Sequence, residues 1–226
     1  MIMNTLVVWK DKFFLSNASS VLSAAVGFCV SLFVVVVEIL PMNYFALYYV
    51  AVCHQLKAVL TDFSQKMSQN KPKVDYENLL RSYNAIKSLI ASIDDELSLL
   101  MFIEILFSSS IMYFAIAVMF HPDTMPFPNR ISIYLCFINN LVAFFAMTAS
   151  AALISETSLS IGLRAQSAES QKENGLIFQQ QRFISSADKE ISMTVWKIAP
   201  IRRELILGIL GAVFTYVLLL DNLSNP

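Results

Sequence analysis

The sequence predicts an all-α membrane protein with four transmembrane helices, long cytoplasmic helical extensions and both termini extracellular. Three observations predict this class. Of the 226 residues, 56% are hydrophobic and only 15% are charged, whereas a soluble domain carries about 25% charged residues. Four apolar stretches can cross a bilayer, which takes about 20 residues of helix. The basic residues are concentrated between these stretches, as expected of cytoplasmic loops.

The four predicted spans differ in length. They run from about Val21 to Leu40, Leu97 to Phe120, Ile131 to Ile154 and Leu205 to Leu220. The fourth is short, and it gains length if Trp196 to Ile201 belongs to the same helix or to a kinked one. Pro200 would mark that kink, because proline removes a backbone donor.

The distribution of Lys and Arg predicts the orientation of the spans. Thirteen of the 16 basic residues fall between the first and second spans or between the third and fourth, and the others are Lys10, Lys12 and Arg130. Because short loops rich in Lys and Arg remain in the cytoplasm, both termini and the 121–130 turn are expected outside. The sequon Asn17-Ala18-Ser19 then makes Asn17 a candidate glycosylation site.

Apolar residues at helical spacing also predict helices in the two cytoplasmic segments. One pattern forms a helical hairpin over about 45–96, and the other runs from Ile177 to Ile198. These helices either pack together or lie on the lipid surface, and their interspersed acidic residues favour packing. The predicted regions are an extracellular segment (1–20), three transmembrane helices with the hairpin (21–154), a cytoplasmic loop and amphipathic helix (155–204), and a final pore-type helix with its extracellular tail (205–226).

No secretory signal precedes the first span. An extracellular N-terminus then requires either that the first span inserts in reverse or that the chain is the C-terminal part of a longer protein. We expect the second.

Composition and motifs argue against several classes of function. A net charge of −1 gives no basic surface for nucleic acid. His54 and His121 are far apart, and the three cysteines lack Cys-x-x-Cys spacing, so neither a metal site nor another cofactor is expected. Motifs of hydrolases, nucleotide-binding enzymes and metalloproteases are missing, so an enzyme is not expected. Glu38 and Glu104, the charges within the first three spans, are either interfacial residues paired with basic neighbours or functional carboxylates.

The last helix carries small and polar residues along one face. At 3.6 residues per turn, this stripe consists of Gly208, Gly211, Ala212, Thr215, Leu219 and Asn222. Such a stripe is typical either of tight helix packing or of an aqueous pore.

The same helix carries the residues of a family resemblance. Thr215-Tyr216 is followed by a largely apolar run, with Asp221 in its fifth position, and then by Asn222 and Leu223. This segment resembles the final-helix motif of the arthropod gustatory and odorant receptor superfamily: Thr-Tyr, five apolar residues, Gln, and an aromatic or apolar residue. The Thr-Tyr form indicates the gustatory branch, and the resemblance covers the chain as spans four to seven of the family's seven.

The resemblance implies a multi-pass protein of the plasma membrane that forms a homo- or hetero-tetrameric cation channel gated by a small-molecule tastant. Leu219, Asn222 and Leu223 match pore-facing or gate positions, and Thr215 shares their stripe. Asp221 would attract cations at the pore mouth, and the cytoplasmic helices would anchor the subunits. The alternatives are a four-span structural or scaffold protein whose last helix merely packs, and a transporter, although transporters favour Gly-rich broken helices and this chain has only 5 glycines.

Overall fold

The computed structural model describes residues 40–69, 76–120, 127–168 and 177–224. They form five α-helices and one short antiparallel hairpin: α1 (Leu40–Gln69), α2 (Tyr76–Phe120), α3 (Phe127–Ala168), α4 (Ile177–Ala187), β1 (Thr194–Val195), β2 (Ala199–Pro200) and α5 (Arg203–Ser224). The predicted helical class is confirmed for these residues. Asn17, Glu38 and His121, together with nearly all of the first predicted span, lie outside them.

The chain divides into two compact units, Met1–Phe45 and Ala46–Pro226. In the first unit, the described residues form the beginning of α1. Pro41 is tolerated there because the first N–H groups of a helix have no intrahelical acceptor. The second unit contains every other described element and is the part that bears on function.

The two longest helices extend well beyond the thickness of a bilayer. At 1.5 Å per residue, the 45 residues of α2 span about 67 Å and the 42 residues of α3 about 63 Å, against about 30 Å of hydrocarbon. Among the described residues, these two helices are the ones long and apolar enough to cross a membrane. The predicted number of spans and the location of the termini stay predictions.

Helix α2 is the centre of the second unit, since it contacts α3, α4, α5 and β1. At its N-terminal end, an aromatic cluster joins three helices. The Phe63 ring of α1 lies 5.7 Å from Tyr83 of α2, and Phe183 of α4 lies 6.1 Å from Tyr83. Tyr83 and Phe183 are almost completely buried, so these large rings fix how α1 and α4 pack on α2.

Helices α2 and α3 run antiparallel. At one end, the Tyr83 hydroxyl lies 3.5 Å from the hydroxyl of Ser158. At the other end, Ala115 and Val118 of α2 pack in one buried cluster with Ile133 of α3. Burial raises the pKa of the Tyr83 hydroxyl, so this hydroxyl stays protonated and can donate at neutral pH.

Helix α3 is longer than the sequence pattern suggested. The segment from Ser155, expected to begin a loop, remains helical to Ala168. Its polar residues bond within the structure rather than marking a break: Arg164 donates to the Ser64 hydroxyl of α1 at 2.8 Å. Gly162 allows α4 to end against this extension, because a Cβ there would lie 2.9 Å from the Ala187 carbonyl oxygen.

The helix expected to continue to Ile198 ends at Ala187 instead. Beyond it, Ile191, Met193 and Val195 are buried while the residues between them are only partly covered, which is the two-residue period of an extended strand. Thr194 pairs with Pro200 and Val195 with Ala199. The kink predicted at Pro200 is therefore replaced by a β-hairpin, residues 194–200.

The turn of this hairpin has an uncommon backbone. Trp196 and Lys197 have φ of 47° and 57°, and the Ile198 N–H donates to the Val195 carbonyl at 2.9 Å. Two central residues with positive φ are the mark of a type I′ turn, where Asn and Gly are preferred. A bulky residue there costs on the order of 1–3 kcal/mol, so surrounding contacts must hold it.

Candidate functional site

The last helix, α5, presents one face to the protein and the opposite face away from it. Ile206 and Val217 are buried, with Val217 only 3% exposed. At 100° per residue, both lie roughly 180° from Thr215. Gly208, Gly211, Ala212, Thr215 and Leu219 are all exposed. We call this set the exposed stripe.

Within the described part of the chain, no other residue packs against the glycines of the exposed stripe. A Cβ added at Gly208 or Gly211 would meet no atom within 4 Å. The Thr215 hydroxyl donates to the Gly211 carbonyl at 2.8 Å, which satisfies its proton inside the helix while leaving the oxygen accessible. The stripe is thus available to a neighbouring molecule, to lipid or to water.

The structure places the other predicted motif residues as follows. Tyr216 is 65% exposed and lies beside the stripe. The α5 backbone continues through Asp221, Asn222 and Leu223 to Ser224, and its register carries Asn222 along the line of Thr215 and Leu219. The side chains of Asp221, Asn222 and Leu223 lie outside the described part, so their predicted pore and gate roles stay predictions.

Ionic contacts attach the start of α5 to α3. The Arg202 guanidinium binds one oxygen of the Glu190 carboxylate, and the Ser155 hydroxyl of α3 donates to the other. Arg203 donates to Glu156 of α3 at 2.9 Å. Glu190 therefore links α3 to Arg202, the residue that precedes α5, through a single carboxylate.

The hairpin attaches the same region to α2. The Asp94 carboxylate accepts from the backbone N–H of Thr194 at 2.7 Å and from its hydroxyl at 2.6 Å. The Trp196 N–H donates to the Ser98 carbonyl at 3.0 Å, and its ring centroid lies 5.0 Å from that of Phe102. A further contact of the turn is the Lys197–Asp95 ion pair at 2.7 Å.

Glu104 is the charged residue that the structure places deepest in the apolar part of α2. It is 3% exposed, and the buried Ser108 hydroxyl one turn along makes no hydrogen bond within the described part of the chain. Within the described residues no basic side chain pairs with it, so the expectation of an interfacial ion pair is not met. A carboxyl buried in this way faces the helix bundle.

Sequence reasoning missed the residues that attach α5. Asp94 is followed by Asp95 and Glu96, a run that is typical of a solvated helix face, yet it is 8% exposed and bonds Thr194. The alternation of Ile191, Met193 and Val195 predicts a strand, but Ile191, Val195 and Ile198 also fit a helical period. The turn residues Trp196 and Lys197 give no Asn-Gly pattern that would have decided between the two.

The chain was compared with known protein families. A family model described as "Trehalose receptor" matches residues 11–226. No curated protein sequence matches the chain significantly. The matched range includes α1 to α5 and the Thr215-Tyr216 motif.

Proposed function

The chain belongs to the trehalose-receptor family, a gustatory receptor family of insects, and we propose that it acts as a subunit of a ligand-gated cation channel. Membership makes the chain a membrane protein with a chemosensory role, and the resemblance to gustatory receptors expected from Thr215-Tyr216 is confirmed.

The observation that supports the pore is the direction of the exposed stripe on α5. Ile206 and Val217 hold the helix against its own subunit, while Thr215 and Leu219 point away. If subunits assemble around an axis with this face inward, each contributes a line of small and hydroxyl-bearing residues that ends in leucine. A ring of leucines closes a pore by excluding water, and widening the ring would let it wet.

We propose a tetramer, as the family resemblance implies, with Thr215, Leu219, Asn222 and Leu223 lining the pore and its gate. Asp221 would lie at the outer mouth and raise the local concentration of cations. The topology is the one predicted from the basic residues: four spans in the plasma membrane and both termini outside. The parts of α1, α2 and α3 beyond the bilayer, together with α4, would then form a cytoplasmic anchor between subunits.

The proposed stimulus is a small-molecule tastant. The family is named after trehalose, a neutral sugar, so trehalose is the first compound to apply. Because this ligand is neutral, it is not the permeating ion. Ligand recognition and cation permeation along α5 are therefore separate functions in this proposal.

Cysteine accessibility on α5 tests the pore directly. In the full chain with Cys29, Cys53 and Cys136 replaced, single cysteines are introduced at Thr215 and Leu219 and treated with a charged, membrane-impermeant thiol reagent. Both positions should react from water and change the cation current. The matched controls are Val217→Cys, which is buried against the subunit, and Phe214→Cys, which is half-exposed but lies about 100° from Thr215; neither should react.

The same scan decides against the channel if the pattern differs. Reaction at Phe214 or Val217 with none at Thr215 and Leu219 would place the exposed stripe in lipid or in a helix interface. A stripe unreactive at every position, in a chain without trehalose-evoked current, would favour the scaffold alternative, in which α5 only packs.

A further inference from the structure

We propose that the tip of the hairpin, Trp196-Lys197-Ile198, inserts into the boundary between lipid headgroups and acyl chains at the cytoplasmic face of the membrane. This surface is separate from the stripe on α5. The inference rests on the insertion of α2 into the membrane and not on channel activity, so either proposal can fail without the other.

The first observation is the exposure of apolar side chains at the tip. Ile198 is 71% exposed and Trp196 is 50% exposed, although most apolar residues leading to them are buried. Both stand on a turn whose positive φ values are held by contacts of Trp196 and Lys197 to α2. The turn is strained, and it exposes a Trp and an Ile side chain side by side. An exposed apolar patch of this kind is typical of a surface that contacts lipid or another protein.

The second observation is the level of the tip along α2. Counting back about 20 residues from Phe120, the length needed to cross about 30 Å of hydrocarbon, reaches Met101. The Trp196 ring packs on Phe102, the next residue. The carboxylates of Asp94 and Asp95 lie about two turns below, on the charged side. The tip therefore lies at the membrane–water boundary, where Trp is enriched.

The third observation is continuity with apolar surface on α2. Leu99, Ile103 and Leu106 are each about half exposed, and on the helix they lie on the side next to Phe102. They belong to the apolar part of a helix that can span a membrane. The tip extends this lipid-facing surface laterally at its cytoplasmic edge.

The charges indicate which lipid chemistry the tip needs. The three basic residues within or just after the hairpin all have carboxylate partners: Lys197 with Asp95, Arg202 with Glu190 and Arg203 with Glu156. These three side chains therefore do not form a cluster of unpaired positive charge that would bind lipid phosphates. Insertion should depend on the apolar side chains and proceed in zwitterionic lipid.

The test uses the tryptophans of the full chain. Trp9 and Trp196 are the only two, so Trp9→Phe leaves Trp196 as the sole tryptophan. The variant is reconstituted in phosphatidylcholine vesicles with bromine at a shallow or a deep acyl position. We expect blue-shifted emission, the largest loss of intensity with shallow bromine, and little quenching by aqueous iodide. Adding phosphatidylserine should change none of these.

Two reference tryptophans calibrate the depth. In the Trp9→Phe, Trp196→Phe background, Phe178→Trp on α4 should be quenched by iodide alone, and Phe145→Trp in the apolar part of α3 by deep bromine; both phenylalanines are exposed. Ile198→Ser, tested with Trp196 present, should shift quenching from bromine toward iodide without unfolding the chain, because the Ile198 side chain is mostly exposed.

Three outcomes would overturn the proposal. Quenching of Trp196 by iodide as strong as for Phe178→Trp would place the tip in the cytoplasm. Protection from both quenchers would mean that another protein chain covers it. A requirement for phosphatidylserine would replace apolar insertion with headgroup binding.

Discussion

The carboxylate of Asp94 accepts two hydrogen bonds from Thr194, one from the backbone N–H at 2.7 Å and one from the hydroxyl at 2.6 Å. The two residues are 100 positions apart in the chain. Asp94 is buried in α2 and Thr194 begins the hairpin that precedes α5. This pair therefore attaches the segment before α5 to α2. The attachment lies close to the end of the apolar part of α2 where charged residues begin.

Replacing Thr194 by Val should destabilise the fold by about 1.5–3 kcal/mol, because it removes one hydrogen bond to a buried charge while keeping the side-chain shape. Asp95→Asn is the matched control, since its partner Lys197 is 62% exposed in its side chain and solvent screens such a pair, so its loss should change stability little. Denaturant titration of the protein in detergent gives both values. Equal losses for the two variants would contradict the structural role of Asp94.

Gly162→Ala and Gly208→Ala should have opposite effects on the stability of the subunit. At Gly162 the new methyl group would lie 2.9 Å from the Ala187 carbonyl oxygen, so α3 and the end of α4 must move apart, at about 1–3 kcal/mol. At Gly208 nothing lies within 4 Å, and Ala should stabilise the helix by up to about 1 kcal/mol.

Thermal unfolding in detergent measures both glycine variants. A Gly208→Ala protein that unfolds as early as Gly162→Ala would show that the stripe is packed within the subunit. If Gly208→Ala instead folds well but loses current, the space at Gly208 is needed in the assembled protein.

Glu190 and Arg202 should show measurable coupling in a double-mutant cycle. We expect about 1 kcal/mol between Glu190→Gln and Arg202→Met, because the Glu190 side chain is only 23% exposed and also accepts from Ser155. The Asp62–Lys66 pair on α1 is the control. Both of its side chains are more than 60% exposed, and a coupling below about 0.5 kcal/mol is expected. Coupling at Asp62–Lys66 that equals or exceeds the value at Glu190–Arg202 would remove the case for a specific attachment.

Cys53 should resist thiol reagents in the folded protein. Burial raises the pKa of this thiol from its ordinary 9.0 to about 12, so its thiolate population at pH 8 is about a thousandfold smaller than that of an exposed cysteine. Because the folded pKa is the higher one, the associated stability is fully present below pH 9 and is lost as pH rises from 9 toward 12.

The reactivity of Cys53 can be measured in a variant without Cys29 and Cys136. Labelling should speed up only when the protein opens, for example on adding denaturant. Thr61→Cys, two turns along α1 at an exposed position, provides the reactive control in a chain that also lacks Cys53. Labelling of Cys53 as fast as this control in the native state would contradict its burial.

The helical class and the grouping of small and polar residues along one stripe of α5 could be predicted because both depend on local periodicity. The exposure of that stripe could not, since the same pattern fits helix packing and a pore. In the structure, Ile206 and Val217 are buried, whereas Thr215 and Leu219 are exposed. The extension of α3 to Ala168 could not be predicted, since its polar residues bond to partners that are distant in sequence. Arg164 reaches Ser64, and Gln166 reaches Asp188 at 3.0 Å.

The hairpin was beyond sequence reasoning for a different reason. Its backbone conformation at Trp196 and Lys197 is contrary to their local preference, and contacts with Ser98 and Asp95 stabilise it. Tertiary contacts thus determine a local structure that no short pattern encodes. The pore roles proposed for Asn222 and Leu223 likewise depend on contacts beyond their own segment, those between subunits.

Because α2 is one continuous helix, a tilt of its apolar part would move its N-terminal part as well. With α2 crossing the membrane as proposed, about 30 Å of its 67 Å would lie at bilayer depth, which leaves an arm of about 37 Å beyond it. A tilt of 1° within the membrane would displace the far end of this arm by about 0.6 Å, and a tilt of 5° by about 3 Å. The Tyr83–Phe183 cluster lies on that arm and the Asp94–Thr194 contact lies near its pivot. Small rotations among the spans would therefore be magnified at the aromatic cluster while the start of α5 stays almost in place.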